Sequence, residues 1–118
     1  MKTGAETGDL DIADVGALTI LGAGAGTTTI DADQIDRVFH VLGGANVAIE
    51  SVTISNGEST DGGGIYNSTS VTATITDSTL SGNSAASRGG GIVNYGTATI
   101  SNSTLSGNSA DYGGGVRN

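Results

Sequence analysis

Apolar and polar residues alternate with a period of two along most of the chain. Residues 72–76 read TATIT, so Ala73 and Ile75 share one face and the threonines take the other. Residues 97–101 read TATIS and repeat the pattern. Alternation of this kind, with β-branched residues, predicts short strands. The spacing of three or four that marks an amphipathic helix is absent, which indicates an all-β protein.

The second half of the chain repeats one unit. The unit occupies residues 62–88, recurs in residues 89–112, and begins a third time in residues 113–118. Each copy opens with GGG and predicts three short strands, which in the first copy lie at 64–67, 72–76 and 78–81. Regular repetition predicts units that stack, with equivalent strands paired in parallel.

The same unit, aligned backwards, predicts two earlier coils. Phe39 then aligns with Ile65, and Ile49 with Ile75. We therefore predict one parallel β-helix domain over residues 9–118, with about four coils, three short strands per coil and about 25 residues per coil. The coils are 9–37, 38–61, 62–88, 89–112 and the start of a fifth at 113–118. Residues 1–8 are expected to be a disordered or partial N-terminal segment. Because neither end offers a convincing cap, we expect a fragment of a longer solenoid.

The alternation also predicts which side chains fill the inside of the coils. Each coil supplies only a few aliphatic residues, so stability must come from the column that they build together. The predicted inward set is Leu10, Ile12, Leu18, Ile20, Ile30, Phe39, Val41, Val47, Ile49, Val52, Ile54, Ile65, Ala73, Ile75, Leu80, Ile92, Ala98, Ile100, Leu105 and Val116.

Several phrases of the repeat resemble a known family. They are GGGIYN at 62–67, GGGIVN at 89–94, and STLSGN at 78–83 and 103–108. The chain resembles right-handed parallel β-helix proteins of the pectin-lyase-like superfamily. More narrowly, it resembles bacterial surface proteins with polymorphic outer-membrane-type repeats. The resemblance implies a right-handed solenoid and leaves function open, since the superfamily includes lyases, hydrolases and adhesins.

Asparagines recur at fixed places in successive coils. Asn67, Asn94 and Asn118 fall at one position, and Asn83 and Asn108 at another. An inward asparagine at a turn can hydrogen bond to its equivalent in the next coil, so both columns predict structural ladders. The GGG triplets predict tight turns between coils, because no helix or lysine follows them as a phosphate cradle would require.

Threonine and serine rows should cover the outward faces. Regular hydroxyl rows on a flat sheet can bind polysaccharide, although such rows are also common as solvated strand surface. The predicted rows for surface binding are Thr53, Thr79 and Thr104, then Ser55, Ser81 and Ser106, and on a different face Thr74 and Thr99.

The opening strands predict one outward column that contains the only histidine. Its members are His40, Tyr66, Val93 and Arg117. With Arg37, Asp36 and Asp61 near His40, an acid–base site is conceivable. Because no two acids recur on one face of adjacent coils, we interpret this region as ordinary surface. We predict no catalytic residue, no metal ligand and no cofactor, and leave open a loose calcium site among the acids of residues 6–36.

The charge of the chain restricts its partners. The formal net charge is −8, and ten of the twelve acidic residues lie at or before Asp61. Nucleic acids and anionic membranes need clustered cations, so neither is an expected partner. No apolar run is long enough to span a bilayer. The first sixteen residues lack the apolar segment of a signal peptide. We expect an extracellular or cell-surface location, with any signal or anchor outside this chain.

Three hypotheses for function follow. The first is a non-catalytic, structural and adhesive segment of a secreted or surface-anchored bacterial protein, which presents its Thr, Ser and Asn rows to polysaccharide or to a cell surface. The second is a fragment of a polysaccharide lyase or glycoside hydrolase. The third is a solenoid that assembles end to end with other copies, through its flanking coils.

Overall fold

The computed structural model describes residues 9–13 and 16–118, which form fifteen short strands and no helix. In chain order the strands are β1 (Leu10–Ile12), β2 (Ala17–Leu21), β3 (Thr29–Asp31), β4 (Phe39–Val41), β5 (Asn46–Glu50), β6 (Thr53–Ser55), β7 (Glu58–Asp61), β8 (Ile65–Asn67), β9 (Thr72–Thr76), β10 (Thr79–Ser81), β11 (Ser84–Arg88), β12 (Ile92–Asn94), β13 (Thr97–Ser101), β14 (Thr104–Ser106) and β15 (Val116–Arg117).

The strands stack as a parallel β-solenoid of about four turns, with about 26 residues per turn. The opening sheet has the order β1-β4-β8-β12-β15, the second sheet β2-β5-β9-β13 and the third sheet β3-β6-β10-β14. Every pair is parallel, and like residues meet in register, for example Thr72 with Thr97 and Ile75 with Ile100. The prediction of an all-β stack of parallel coils is therefore confirmed.

The prediction of three strands per coil is incomplete, because a fourth sheet joins β7 to β11. Single bridges continue this sheet from Ser84 to Ser109 and from Arg88 to Tyr112. The pairing is irregular, with a register shift between Ala85 and Arg88. Residues 58–61 read ESTD and contain no aliphatic residue, so the alternation that marks the other strands is missing here.

Single residues in the left-handed conformation turn the chain between sheets. Asp77 (φ 51°) separates β9 from β10, and Gly82 (φ 66°) separates β10 from β11. The first glycine of the triplet, Gly62 (φ 66°), turns the chain toward the opening sheet. At Gly63 a Cβ would lie 2.3 Å from the Ser84 carbonyl oxygen and 2.6 Å from that of Gly90. The triplet is thus required both by conformation and by close approach of neighbouring backbone.

Most of the predicted inward residues fill the space between the sheets. Ile49, Ile54, Ile65, Ile75 and Leu80 are fully buried and belong to one cluster. The cluster also contains residues that the alternation did not mark, namely Val38, Ala45 and Val71. These three lie outside the strands, where the period of two no longer applies.

Three predicted core residues at the ends of the described stack are exposed. Leu10 is 41% exposed, Leu18 36% and Val116 39%. They keep the inward register, since Leu10 pairs with Phe39 and Val116 with Ile92. Only one neighbouring coil among the described residues covers each of them, which explains the difference.

Candidate functional site

The first asparagine column forms a continuous hydrogen-bonded ladder. Asn67 Nδ2 donates to Asn94 Oδ1 at 2.6 Å, and Asn94 Nδ2 donates to Asn118 Oδ1 at 2.7 Å. Asn67 Nδ2 also donates to the Thr97 carbonyl oxygen, and Asn94 Nδ2 to that of Gly96. Asn67 is fully buried and Asn94 nearly so. The ladder fastens the third, fourth and fifth copies of the opening strand to one another.

The ladder ends at a buried acceptor. Asn67 Oδ1 is buried and has no hydrogen-bond partner among the described residues. Its register neighbour in the preceding coil is Val41, whose side chain has no donor. A buried acceptor without a donor carries the cost of its lost hydration, about 1–3 kcal/mol.

Val41→Thr is expected to change the free energy of unfolding by less than about 0.5 kcal/mol. Threonine matches valine in shape, and its hydroxyl can donate to Asn67 Oδ1, which offsets the cost of burying that hydroxyl. Val47→Thr is the control, because Val47 is equally buried but has Leu18 and Ala73 as register neighbours. It should cost about 1–3 kcal/mol. Urea unfolding measures both values, and equal costs would contradict the role assigned to Val41.

The second asparagine column forms hydrogen bonds both between side chains and to backbone carbonyl groups. Asn83 Nδ2 donates to the Ile54 carbonyl oxygen and to Asn108 Oδ1, both at 3.1 Å. Asn108 Nδ2 donates to the Leu80 carbonyl oxygen at 2.9 Å. One coil earlier a glycine takes this place, and Gly57 N–H donates to Asn83 Oδ1. The asparagine side chains of both columns are thus engaged in hydrogen bonds within the solenoid.

The structure places the predicted hydroxyl rows in register. Thr53, Thr79 and Thr104 form one column of the third sheet, which Thr29 extends. Thr104 is exposed and Thr79 half-buried, while Thr53 Oγ1 donates to the Ala25 carbonyl oxygen. On the second sheet Thr74 and Thr99 pair, and there the half-buried Ala48 precedes them.

The serine column is open over only part of its length. Ser55, Ser81 and Ser106 pair in register, and Asp31 precedes them. Ser106 is exposed, but Ser55 is 9% exposed. The chain that follows β3 runs beside Ser55, with Ala32 N–H donating to its carbonyl oxygen. The prediction of Ser55 as a surface-binding residue is therefore wrong.

His40, in the second coil, lies among two aspartates and an arginine of the first coil. Its Nδ1 is 3.8 Å from Asp9 Oδ2 and 3.5 Å from Asp11 Oδ1. Arg37 Nε is 3.4 Å from the same Asp9 oxygen, and Arg37 Nη2 donates to Ser59 Oγ at 2.8 Å. Asp9 and Asp11 both belong to the first coil, so they do not contradict the expectation that no two acids recur on one face of adjacent coils, but the approach of Asp11 to His40 was not predicted. The missed signal is the register itself, because Asp11 lies directly beside His40 in the parallel pair.

The other two residues proposed for acid–base chemistry lie apart from this cluster or play a local role. Asp36 Oδ1 accepts a hydrogen bond from the Arg37 backbone N–H at 2.8 Å. Asp61 is ion-paired with Arg88, with Oδ1 3.3 Å from Nε. His40 and Arg37 are therefore brought together by Asp9, whereas Asp61 belongs to a separate pair.

Asp9, Asp11 and His40 also form a set of possible metal ligands. Each offers one ligand atom, and these atoms lie within 4.8 Å of one another. Two carboxylates and an imidazole are suitable ligands for a divalent transition metal, whereas calcium prefers oxygen ligands alone. The Arg37 guanidinium lies against the nearly fully buried Asp9 carboxylate. Its positive charge opposes a cation at that carboxylate.

Aromatic rings continue this cluster along the opening sheet. The His40 and Tyr66 ring centroids are 4.8 Å apart, and those of Tyr66 and Tyr95 are 5.6 Å apart. Arg37 Cζ lies 5.0 Å from the Tyr66 ring centroid. Arg88 Nη1 donates to the Tyr95 hydroxyl at 3.1 Å. The rings and guanidinium groups therefore form one connected surface.

Val93 is the exception in the predicted outward column. It pairs in register with Tyr66 and Arg117, yet it is fully buried. Arg88 precedes β12 and Tyr95 follows it, so their hydrogen bond crosses the strand on the outward side. The expectation that Val93 lies exposed is wrong, and its side chain packs against the glycine turn, since a Cβ added at Gly62 would lie 2.9 Å from Val93 Cγ1.

Comparison with known proteins gives one family match. Residues 77–95 match the model of the Chlamydia polymorphic membrane protein (Chlamydia_PMP) repeat. The matched repeat spans β10, β11, the glycine triplet and β12, and so contains Asn83 and Asn94 from the two ladders. No curated protein and no solved structure matches the chain. The repeat and the β-solenoid together fit a bacterial surface protein of the polymorphic-membrane type.

The repeat suggests a surface or outer-membrane-associated protein. Within residues 9–13 and 16–118, no helix has the length and apolar character needed to cross a membrane.

Proposed function

We propose that this chain is a non-catalytic, adhesive solenoid segment of a bacterial surface protein. The observation that supports the proposal best is the in-register stacking of hydroxyl side chains on the third sheet. A row of identical groups at the strand spacing of about 4.8 Å suits a polymer that also repeats along its length. Weak contacts then add along the column, which raises the overall affinity without a deep pocket.

The hydroxyl rows have the chemistry for polysaccharide rather than for apolar partners. Thr79, Ser81, Thr104 and Ser106 carry both donors and acceptors on a rigid sheet. Because parallel pairing fixes the backbone of each row, little conformational entropy is lost when a ligand binds. The match to a surface-protein repeat at residues 77–95 is consistent with such an exposed role.

The double substitution Thr79→Val and Thr104→Val is expected to weaken polysaccharide binding about tenfold. Valine keeps the shape and strand preference of threonine but removes two hydrogen bonds, each worth about 0.5–1.5 kcal/mol. Affinity electrophoresis in gels that contain a panel of polysaccharides measures the change. Thr72→Val with Thr97→Val is the matched control, since these exposed threonines pair on the second sheet. If the protein with Thr79→Val and Thr104→Val binds polysaccharide as tightly as the native chain, the hydroxyl rows are not the binding surface.

The enzyme hypothesis has one specific observation in its favour, the cluster of Asp9, Asp11 and His40. General acid–base catalysis requires a side chain that can reach the substrate. Asp9 is only 5% exposed and is ion-paired with Arg37, which makes it better suited to holding the surface together. Release of soluble sugar from uronic-acid polymers or neutral polysaccharides, with or without calcium, would support the enzyme hypothesis and overturn the adhesive one.

The assembly hypothesis rests on the strands at the two ends of the described stack. Strands β1, β2 and β3 at one end and β13, β14 and β15 at the other each have a paired neighbour on one side only, and Leu10 and Val116 are partly exposed. Open strand edges can pair with another chain. Analytical ultracentrifugation over a wide range of protein concentration tests this hypothesis, and a monomer at all concentrations would exclude it.

A further inference from the structure

Among the described residues, the arginine, tyrosine and histidine side chains are segregated on one side of the solenoid. The chain has three arginines, three tyrosines and one histidine. Six of these seven lie along the opening sheet and its corner with the fourth sheet, and Tyr112 pairs with Arg88 at the same corner. We name the six the aromatic–arginine ribbon: Arg37, His40, Tyr66, Arg88, Tyr95 and Arg117.

The rings of the ribbon form a continuous apolar row. His40 meets Tyr66 edge to face, and Tyr66 meets Tyr95 at a tilt, with centroid distances of 4.8 and 5.6 Å. The row follows the stacking direction, since His40 and Tyr66 are register neighbours in adjacent coils. Tyr95 is 43% exposed. Such ring surfaces attract the C–H face of a sugar ring, because the electron-rich face of the aromatic ring attracts weakly positive hydrogens.

Charged pairs flank the ring row and supply both donors and acceptors. Arg37 pairs with Asp9 and Arg88 with Asp61, at 3.4 and 3.3 Å. A guanidinium has five N–H donors and a carboxylate about four acceptor sites, and the more accessible of the two pairs is Arg88 with Asp61, at 44% and 21% exposure, since the Asp9 side chain is 3% exposed. Sugar hydroxyls can accept from a guanidinium and donate to a carboxylate. The pairs are held in place, since Arg37 also bonds to Ser59 and Arg88 to Tyr95.

The charges of this surface balance, although those of the whole chain do not. The three arginines of the ribbon are matched in number by three aspartates, since Arg37 pairs with Asp9, Arg88 pairs with Asp61 and Asp11 lies beside His40, whereas the chain carries a formal net charge of −8. A surface without net positive charge offers no advantage to a polyanion. It suits an uncharged ligand that has apolar faces and many hydroxyls.

We propose that the aromatic–arginine ribbon binds one strand of a neutral polysaccharide that lies along the axis of the solenoid. This inference rests on the proposed adhesive function and names both the ligand class and a binding surface apart from the hydroxyl rows. Tyr66 and Tyr95 stack against successive sugar rings, and the Arg88–Asp61 pair and the Arg37 guanidinium hydrogen bond to the hydroxyls at their edges.

The test compares two single-tyrosine variants. Tyr95→Ala removes the exposed ring of the row, whereas Tyr112→Ala removes a ring that is 64% exposed but outside the row. Soluble neutral glucan and mannan are the probes, with alginate, heparin and single-stranded DNA as anionic comparisons. Binding is followed by affinity electrophoresis and isothermal titration calorimetry, and circular dichroism with thermal unfolding verifies that both variants fold.

We expect a neutral polysaccharide to bind the native chain, and Tyr95→Ala to weaken that binding by at least about tenfold. Tyr112→Ala should leave it unchanged. The affinity should vary less than about twofold between about 50 mM and about 500 mM NaCl, because no net charge is neutralised. Binding of the anionic polymers alone, with loss at high salt, would overturn the proposal.

The outcomes also separate this inference from the proposed function. If neutral polysaccharide binds, but only the Thr79 and Thr104 substitutions weaken it, the ribbon proposal is wrong and the adhesive function stands. If the native chain binds no polysaccharide and no bacterial or host cell surface, both are wrong. If Tyr95→Ala does not fold, Arg117→Ala, which changes an exposed residue of the ribbon, takes its place with the same expected direction.

Discussion

Gly63→Ala is expected to lower the free energy of unfolding by about 3 kcal/mol or more. The added Cβ would lie 2.3 Å from the Ser84 carbonyl oxygen and 2.6 Å from the Gly90 carbonyl oxygen. Both contacts are with backbone, so no side-chain rotation relieves them and the coils themselves must separate. Overpacking in a well-packed interior typically costs about 1–3 kcal/mol, and a fixed backbone neighbour places this site at the upper end.

Gly26→Ala is the matched control for this substitution. An added Cβ at Gly26 meets nothing within 4 Å, and Gly26 is not among the glycines with positive φ. We expect Gly26→Ala to be neutral or to stabilise by up to about 1 kcal/mol, since alanine restricts the unfolded chain. Urea unfolding followed by circular dichroism measures both. A Gly63→Ala protein as stable as the Gly26→Ala protein would show that the coils are not packed at the distance described.

Asn94→Val is expected to cost about 2–3 kcal/mol, whereas Asn67→Val should cost about 1 kcal/mol or less. Asn94 lies in the middle of the ladder, so its loss removes the acceptor of Asn67 Nδ2 and the donor to the Gly96 carbonyl oxygen. Asn67 stands at the end and already carries a buried acceptor without a partner. Asn67→Val removes this unpaired acceptor, but it leaves Asn94 Oδ1 without the donor that Asn67 Nδ2 provides. The number of buried acceptors without a donor is therefore unchanged.

The comparison is informative because both substitutions are alike in chemistry and volume. Chain position 41 already carries valine in the equivalent place, which indicates that this side chain fits the column. Thermal unfolding at several urea concentrations gives the two free energies. A larger cost for Asn67→Val than for Asn94→Val would contradict the view that the ladder acts as a chain of linked bonds rather than as separate contacts.

The sequence predicts the solenoid well because its fold depends on local alternation and repetition. Strands β9 and β13 coincide with the predicted segments, since five alternating residues outline each of them. Strand β7 was not predicted, because its sequence ESTD has no apolar residues and therefore no alternation of apolar and polar positions. The polar strand forms because its backbone pairs with β11 of the next coil, and the Glu58 N–H donates to the Asp36 carbonyl oxygen of the preceding coil.

The candidate site is less predictable than the fold, for two different reasons. The proximity of Asp11 to His40 follows from strand register, because Asp11 pairs with His40 once Leu10 pairs with Phe39. Extending the alignment of the repeat to β1 would have predicted it. Val93 shares the outward register of Tyr66 yet is fully buried, and Arg88 and Tyr95, which lie on either side of β12 in the chain, are hydrogen bonded to each other. Neither Arg88 nor Tyr95 recurs in the other copies of the unit, so repetition gives no warning of that bridge.

The two asparagine ladders also determine how such a gene can change in length. Residues 62–88 and 89–112 each place one asparagine in either column, so that the two units can hydrogen bond to each other in the same way at both columns. Either unit can therefore stack on a copy of the other. Unequal recombination that adds or removes one whole unit would leave both ladders closed. A change by part of a unit would set amide groups against aliphatic side chains in every later coil. Whole-unit duplication and loss are therefore the indels that selection can tolerate in this stretch of chain.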